Sequence, residues 1–156
     1  MTRHVACITG TRADYGLMRP VFRAIQNDPA LELTLLVTGM HFHPDFAESL
    51  VAIRQDAIGT RIELPVFDTV SDAASMATTL GKHIEEITKA LQQLKPDILL
   101  LQGDRGEMLA GAIAAAHLNI LIVHMSGGDR SGTIDDSIRH AITKFAHFHL
   151  PTCDDS

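Results

Sequence analysis

Aromatic side chains are scarce in this chain: there is no tryptophan, one tyrosine and six phenylalanines, 4% in all, against 46% hydrophobic residues. The core must therefore be assembled from Ala, Val, Leu, Ile and Met, packed by interdigitation rather than around large rings. Cysteine is scarce too. Cys7 and Cys153 lie at opposite ends of the sequence, which excludes a disulfide framework and a thiolate metal cluster and suits a reducing, cytoplasmic setting. Thirteen Lys and Arg face nineteen Asp and Glu, a formal charge of -6. That balance excludes a general basic face for nucleic acid or an anionic membrane. The first apolar run is over by Gly10, too short for a signal peptide or for the roughly 20 residues that span a bilayer.

What is present is alternation. Short apolar runs at 4–10, 31–39, 61–67, 97–103, 119–127 and 147–152 read as strands, and most end in a glycine or polar residue. Strands buried on both faces of a parallel sheet look like this. Helical spacing predicts helices over 15–27, 43–56, 73–94, 105–117 and 135–146, which gives an α/β chain with a Rossmann-like parallel sheet and helices on both faces. A chain of 156 residues makes one compact unit that buries roughly 70% of its unfolded surface. In the third helix Met76, Leu80, Ile84, Ile87 and Leu91 form the inward stripe, and His83 reads as solvated.

Doubly wound sheets bind ligands beyond the carboxyl ends of their strands, which selects four segments. In "GTRADYG" (10–16) the turn offers backbone N–H groups and Arg12 to an anion, or Asp14 simply caps the helix. In "QGDRGE" (102–107) Asp104 is a partly desolvated carboxylate suited to proton transfer. Alternatively, Asp104 caps the next helix and Arg105 pairs with Glu107. "TGMHFH" (38–43) places His41 and His43 on an extended segment, and His147 and His149 form a similar pair, but neither pair has a convincing third metal ligand. In "HMSGGDRSGTIDDSIRHAITK" (124–144) Asp135 is a plausible N-cap, Asp135 and Asp136 can meet Arg139 and His140 four residues on, and Ile138, Ala141, Ile142 and Phe145 face inward. A capped helix leaves His124, Ser126 and Asp129 unexplained at the strand end, which points to a site.

"GTRADYGLMRP", "GDRGEMLAGAIAAA", "SGTIDDSIRHAITK" and "AHFHLPT" together resemble the N-terminal half of the hydrolysing UDP-N-acetylglucosamine 2-epimerases, from about residue 5 to 152. The resemblance implies one half of a glycosyltransferase-B type fold. Residues 1–152 would be the N-terminal Rossmann-like domain and 153–156 the start of a linker to a second domain supplying most of the UDP contacts. It implies UDP-N-acetylglucosamine as substrate, UDP and N-acetylmannosamine as products, no cofactor or metal, and a place in sialic acid synthesis. The reaction would remove the C2 proton, expel UDP to leave a 2-acetamidoglucal, and add water at C1. Motif for motif, Asp104 and Asp135 fall on acidic positions of the family, while Arg12, Arg105 and Arg139 would serve phosphate or structure.

The departure is at His124-Met125-Ser126-Gly127-Gly128-Asp129, where the family reads His-x-Glu-Gly-Gly-Glu and uses the first Glu as an acid/base group. Ser126 stands in its place, and a hydroxyl cannot do that work at neutral pH. The expected catalytic set is therefore Asp104, Asp135 and Asp129, with Arg12, Arg105, His124, Ser126 and Arg139 lining the substrate. The competing expectation is a non-catalytic sugar-nucleotide module, and a third is a non-hydrolysing epimerase. A cleft lacking its other half also makes self-association plausible, hence a possible homo-oligomer.

Overall fold

The computed structural model describes residues 2–68, 72–129 and 131–153. Six strands, β1 (Arg3–Thr9), β2 (Leu31–Val37), β3 (Thr60–Glu63), β4 (Ile98–Gln102), β5 (Leu121–Met125) and β6 (Phe148–Leu150), are joined through helices α1 (Arg12–Asn27), α2 (Ala47–Asp56), α3 (Ala73–Leu94), α4 (Gly106–His117) and α5 (Ile134–Phe145). The strands form one sheet in the order β3-β2-β1-β4-β5-β6, and every pairing is parallel.

Alternation along each strand divides the core into two layers. Ala6, Ile8, Leu36, Leu99, Leu101 and Ile122 meet Ile87 and Leu91 of α3, Met108 of α4 and Ile142 of α5. The intervening residues Val5, Cys7, Leu33, Leu35, Val37 and Leu100 meet Tyr15, Met18 and Phe22 of α1 and Ile53 of α2. The small residues of α4 are there for close approach: a Cβ on Gly111 would stand 2.3 Å from Cδ1 of Ile8. Burial also pushes the Cys7 thiol far up, so it is a core methyl-sized filler rather than a reactive group.

Local departures from the sequence reading have local causes. The helix expected over 43–56 begins instead as two 3-10 turns, Gly39–Phe42 and Pro44–Phe46. Pro44 starts the second turn, and His43 Nδ1 accepts from the Asp45 amide at 3.2 Å. The strands expected over 61–67 and 147–152 are shorter, as their bounds above show. Met76 is 54% exposed and Phe145 37%, so the inward stripes of α3 and α5 stop short of those residues. His83 is not solvated; it is buried on the α3 face that carries Thr79, Ile87, Ala90 and Leu91, with Nδ1 3.3 Å from Thr38 Oγ1. Tertiary docking rotated that face further toward a polar residue than apolar spacing alone suggests. Of the linker expected over 153–156, residues 154–156 lie outside the described residues. Among the described residues no helix is long and apolar enough to cross a membrane.

Candidate functional site

The chain runs from β1 to its neighbour β2 on one side, while β4 adds to the other side of β1. This is a topological switch point, where the loops after β1 and β4 part and leave a crevice. A cleft of about 410 Å³ opens there, lined by Thr11, Ala13, Asp14, Leu17, Gln102, Gly103, Asp104, Arg105, Ser126, Asp129, Arg139 and Thr152.

The first wall is the α1 N-terminus. Thr11 caps α1 in a reciprocal box with Asp14, and the Asp14 carboxylate also accepts from the amides of Gly10 at 3.1 Å and Thr11 at 2.7 Å. Two of the amides that the turn might have offered to an anion, those of Gly10 and Thr11, are thus already used; the N-cap is Thr11, with Asp14 the N3 member of its box, so α1 starts before the expected residue 15. Thr9 adds a hydroxyl donor to the same carboxylate. His41 Nε2 lies 3.0 Å from Thr9 Oγ1 and its Nδ1 2.8 Å from Ser49 Oγ. Burial raises the Asp14 pKa, the hydrogen bonds from Thr9, Thr11 and Gly10 only partly opposing it, and burial lowers His41 to about 4. Arg12 points away from the cleft, into a smaller recess with Tyr15, His41 and Ser49.

The second wall follows β4. Gly103 takes φ +76, which turns the chain so that Asp104 and Arg105 face the cleft. Asp104 does not cap α4; Arg105 holds the cap position, without a side-chain cap bond. Arg105 Nε instead donates to Glu107 Oε1 at 2.8 Å, the pairing the sequence allowed. Asp104 accepts from Arg139 Nη2.

The third wall is the segment after β5. Ser126 takes φ +58, a left-handed backbone that a non-glycine residue adopts at some cost and that marks functional turns. Gln102 Nε2 reaches its hydroxyl at 3.4 Å. His124 is fully buried: its Nε2 meets the Gly103 carbonyl at 2.8 Å and its Nδ1 meets Thr143 Oγ1 at 3.1 Å. It ties the two walls together beneath the cleft rather than lining it. Thr152 donates to the Asp129 carboxylate at 3.3 Å.

Arg139 is the hub. It is 6% exposed and donates to Asp104, to the Asp129 backbone carbonyl and, at 3.0 Å, to Asp136. Asp136 in turn accepts from Ser131 N and Gly132 N, each at 2.7 Å, which holds its carboxyl down to about 2, backbone hydrogen bonds being the main cause. The N-cap of α5 is Thr133, not Asp135. Within α5 Arg139 reaches Asp136 at three-residue spacing rather than Asp135 at four, and His140, the expected partner of Asp136, is exposed. Asp135 borders a neighbouring apolar groove of about 550 Å³ with Met76, Leu80, Ile134 and Ile138, not the cleft.

Five of the eight sequence-derived site residues thus meet in the cleft, while Arg12, His124 and Asp135 do not line it. The sequence reading named His41 only beside His43 as a metal-type pair and Glu107 only as a partner for Arg105; the switch point buries both. Among the described residues no group of three His, Cys, Asp or Glu side chains could hold a metal ion.

One pH effect follows. Burial lowers the pKa of His41, His83 and His124 alike, so the unfolded chain binds protons that the folded one refuses. Stability from these groups is complete above the ordinary histidine value of 6.5 and is lost as pH falls through about 4 for His41, with slope 2.3RT per extra proton. Asp14, shifted up by burial, acts in the opposite sense, its contribution growing as pH falls. The urea midpoint is expected to fall steadily from pH 6.5 toward pH 4; a flat profile would contradict the buried neutral imidazoles.

The family model for UDP-N-acetylglucosamine 2-epimerase matches residues 23–156. The chain belongs to this family. It is 43% identical over 150 residues to a hydrolysing UDP-N,N'-diacetylbacillosamine 2-epimerase of Legionella pneumophila, covering 96% of this chain and 40% of that protein. It is 38% identical over 148 residues to a UDP-N-acetylglucosamine 2-epimerase of Neisseria meningitidis, covering 95% and 38%. The epimerase-family chain therefore spans about 40% of the length of these relatives. Its fold matches two solved epimerases: that of N. meningitidis bound to UDP-GlcNAc (TM-score 0.82, 20% identity, 97% of this chain and 40% of that one), and that of Methanocaldococcus jannaschii in complex with UDP-GlcNAc and UDP (TM-score 0.82, 21% identity, 97% and 41%). The expected architecture, a Rossmann-like parallel sheet with helices on both faces that resembles one half of the glycosyltransferase-B type fold, is what the structure has.

Proposed function

We propose that the chain is the N-terminal domain of a hydrolysing UDP-N-acetylhexosamine 2-epimerase, acting on UDP-N-acetylglucosamine and giving UDP and N-acetylmannosamine. The observation that carries this reading is the meeting of Asp104, Arg105, Ser126, Asp129 and Arg139 around one cleft at the switch point, in a chain of the epimerase family. A second domain across the cleft would complete the site, with the region around 153 as the connection.

In this reading Asp104 takes part in proton transfer at C2, anchored by Arg139 so that its remaining lone pairs face the sugar. Arg105 offers guanidinium N–H groups to the diphosphate as UDP leaves. Water adds at C1 of the glycal and C2 is reprotonated from the other face. Ser126 cannot exchange that proton, so the second acid/base role falls to Asp129, the other carboxylate of the third wall. Asp135, on the neighbouring groove, would reach the sugar only with movement of the α5 N-terminus. Arg12 and His124 act from outside the lining, the first near the α1 turn and the second as the tie between β4 and β5.

A second substrate reading rests on the Legionella relative's identity: a 2,4-diacetamido sugar in place of N-acetylglucosamine. Product analysis by proton and phosphorus NMR, with the full-length polypeptide and each UDP-sugar, decides among these. Free 2-epimerised sugar with UDP in equal amounts is the expected result. UDP-N-acetylmannosamine as the end product would replace the hydrolysing mechanism by a non-hydrolysing one, and binding of UDP-sugar without any product would identify a non-catalytic sugar-nucleotide module.

A further inference from the structure

A carboxylate is buried at the switch point where the functional reading gives it no role. Glu107, at the start of α4, is 5% exposed. Its slot is built by glycines from two other strand ends: a Cβ on Gly10 would stand 1.8 Å from Glu107 Oε1, and one on Gly39 3.4 Å from it. Gly39 also takes φ +60 and lies so close to Gly10 that its own Cβ would meet the Gly10 carbonyl at 2.8 Å. Two segments far apart in sequence, at the ends of β1 and β2, have thus given up side-chain volume beside one charged group. Burying a carboxylate costs free energy that a partly exposed ion pair does not return. The helix dipole at the α4 N-terminus offsets only part of this.

The pairing shows what the slot is for. Arg105 donates through Nε, 2.8 Å from Glu107 Oε1, and its side chain is 49% exposed at the cleft. Among the described residues no hydrogen-bonded partner occupies its two terminal amino groups. A guanidinium pinned by Nε keeps its outer edge as a planar two-pronged donor, the form that matches phosphate oxygens. An arginine held only by solvent would have to give up rotamer freedom on binding, a cost worth about 2- to 10-fold in affinity.

We propose that Glu107 is a positioning residue: seated in the Gly10–Gly39 slot, it locks Arg105 so that the terminal amino groups face the cleft as a fixed fork for the diphosphate of the ligand. The proposal rests on the nucleotide-sugar reading for the ligand, but not for the locking.

Two measurements separate the two. In the 156-residue chain, the Arg105 Nε–H proton is expected to give a downfield, slowly exchanging NMR signal. Glu107→Gln should move that signal upfield and speed its exchange. Gly10→Ala, which keeps both charged groups but puts a methyl where the Glu107 carboxylate sits, should do the same by closing the slot. An unchanged signal in Glu107→Gln, with the fold intact by circular dichroism, overturns the proposal; so does a wild-type signal indistinguishable from that of a solvated arginine. In the full-length polypeptide, Glu107→Gln should weaken UDP binding and raise KM about 10-fold while kcat changes less than about 3-fold. A purely structural role would instead lower the amount of active protein and leave KM unchanged, which also overturns it. If the full-length wild type neither binds UDP nor turns over a UDP-sugar, the functional reading fails while the Nε–H result still decides whether Glu107 holds Arg105.

Discussion

Asp104→Asn in the full-length polypeptide is expected to lower kcat by about 10²–10⁴-fold, the usual effect of removing one positioned acid/base group. The amide keeps the size of the carboxylate and can still accept from Arg139, so KM and folding should change little. The loss should appear in proton exchange at C2 as well as in UDP release, because both follow from the same abstraction. Asp129→Asn is expected to cost a comparable factor, since Ser126 leaves the third wall without any other carboxylate on the cleft. Ser126→Glu supplies the family's acid at its own position and should raise the rate. The three variants together locate the second acid. If Ser126→Glu leaves the rate unchanged and Asp129→Asn is fully active, the assignment of Asp129 is wrong and proton return comes from a group outside this chain.

The largest effect on folding is expected at Arg139. Its guanidinium is bound by Asp104, Asp136 and the Asp129 carbonyl, and its side chain is 8% exposed while Asp104 keeps 26%. Breaking a fully buried pair by removing one member costs about 3–5 kcal/mol. Here Asp104 can recover some hydration, so Arg139→Met is expected to destabilise the 156-residue chain by about 2–3 kcal/mol, read from urea denaturation with an unchanged m-value. Arg139→Lys, which keeps the charge but cannot span three acceptors, should fall between. The first residue to loosen should be Asp129, whose carbonyl Arg139 ties to Asp104. Full wild-type stability in Arg139→Met would show that the network is a surface cluster of little energetic consequence.

Much of the fold was legible because its causes are local in sequence. Val5, Cys7 and the residues alternating with them fill two layers, so both faces had to be apolar, and the runs stood out. Gly103 at the end of β4 is punctuation that short-range rules read directly, whereas at the start of α1 Asp14 looked like the cap and Thr11 took that place. The candidate site was legible by rule as well, since a parallel doubly wound sheet puts ligands at its carboxyl edge, and Asp104, Arg105, Ser126 and Asp129 were all found there. What could not be read were choices made by tertiary docking. Arg139 and His140 are equivalent by spacing, but only Arg139 reaches across 35 residues to Asp104. Asp135 looked like the cap and the cleft carboxylate; Thr133 took the cap and turned Asp135 toward α3. His124 and His83 looked polar and available, and packing enclosed both. Glu107 was noticed only as a partner for Arg105, because the slot that buries it comes from Gly10 and Gly39, which no sequence window brings together.

The most direct test of the functional account is deuterium wash-in at C2. With the full-length polypeptide and UDP-N-acetylglucosamine in deuterated water, the account predicts one deuterium at C2 of the released N-acetylmannosamine, UDP formed in equal amount, and loss of both in Asp104→Asn. Product carrying the original C2 proton, or wash-in that survives Asp104→Asn undiminished, would contradict it.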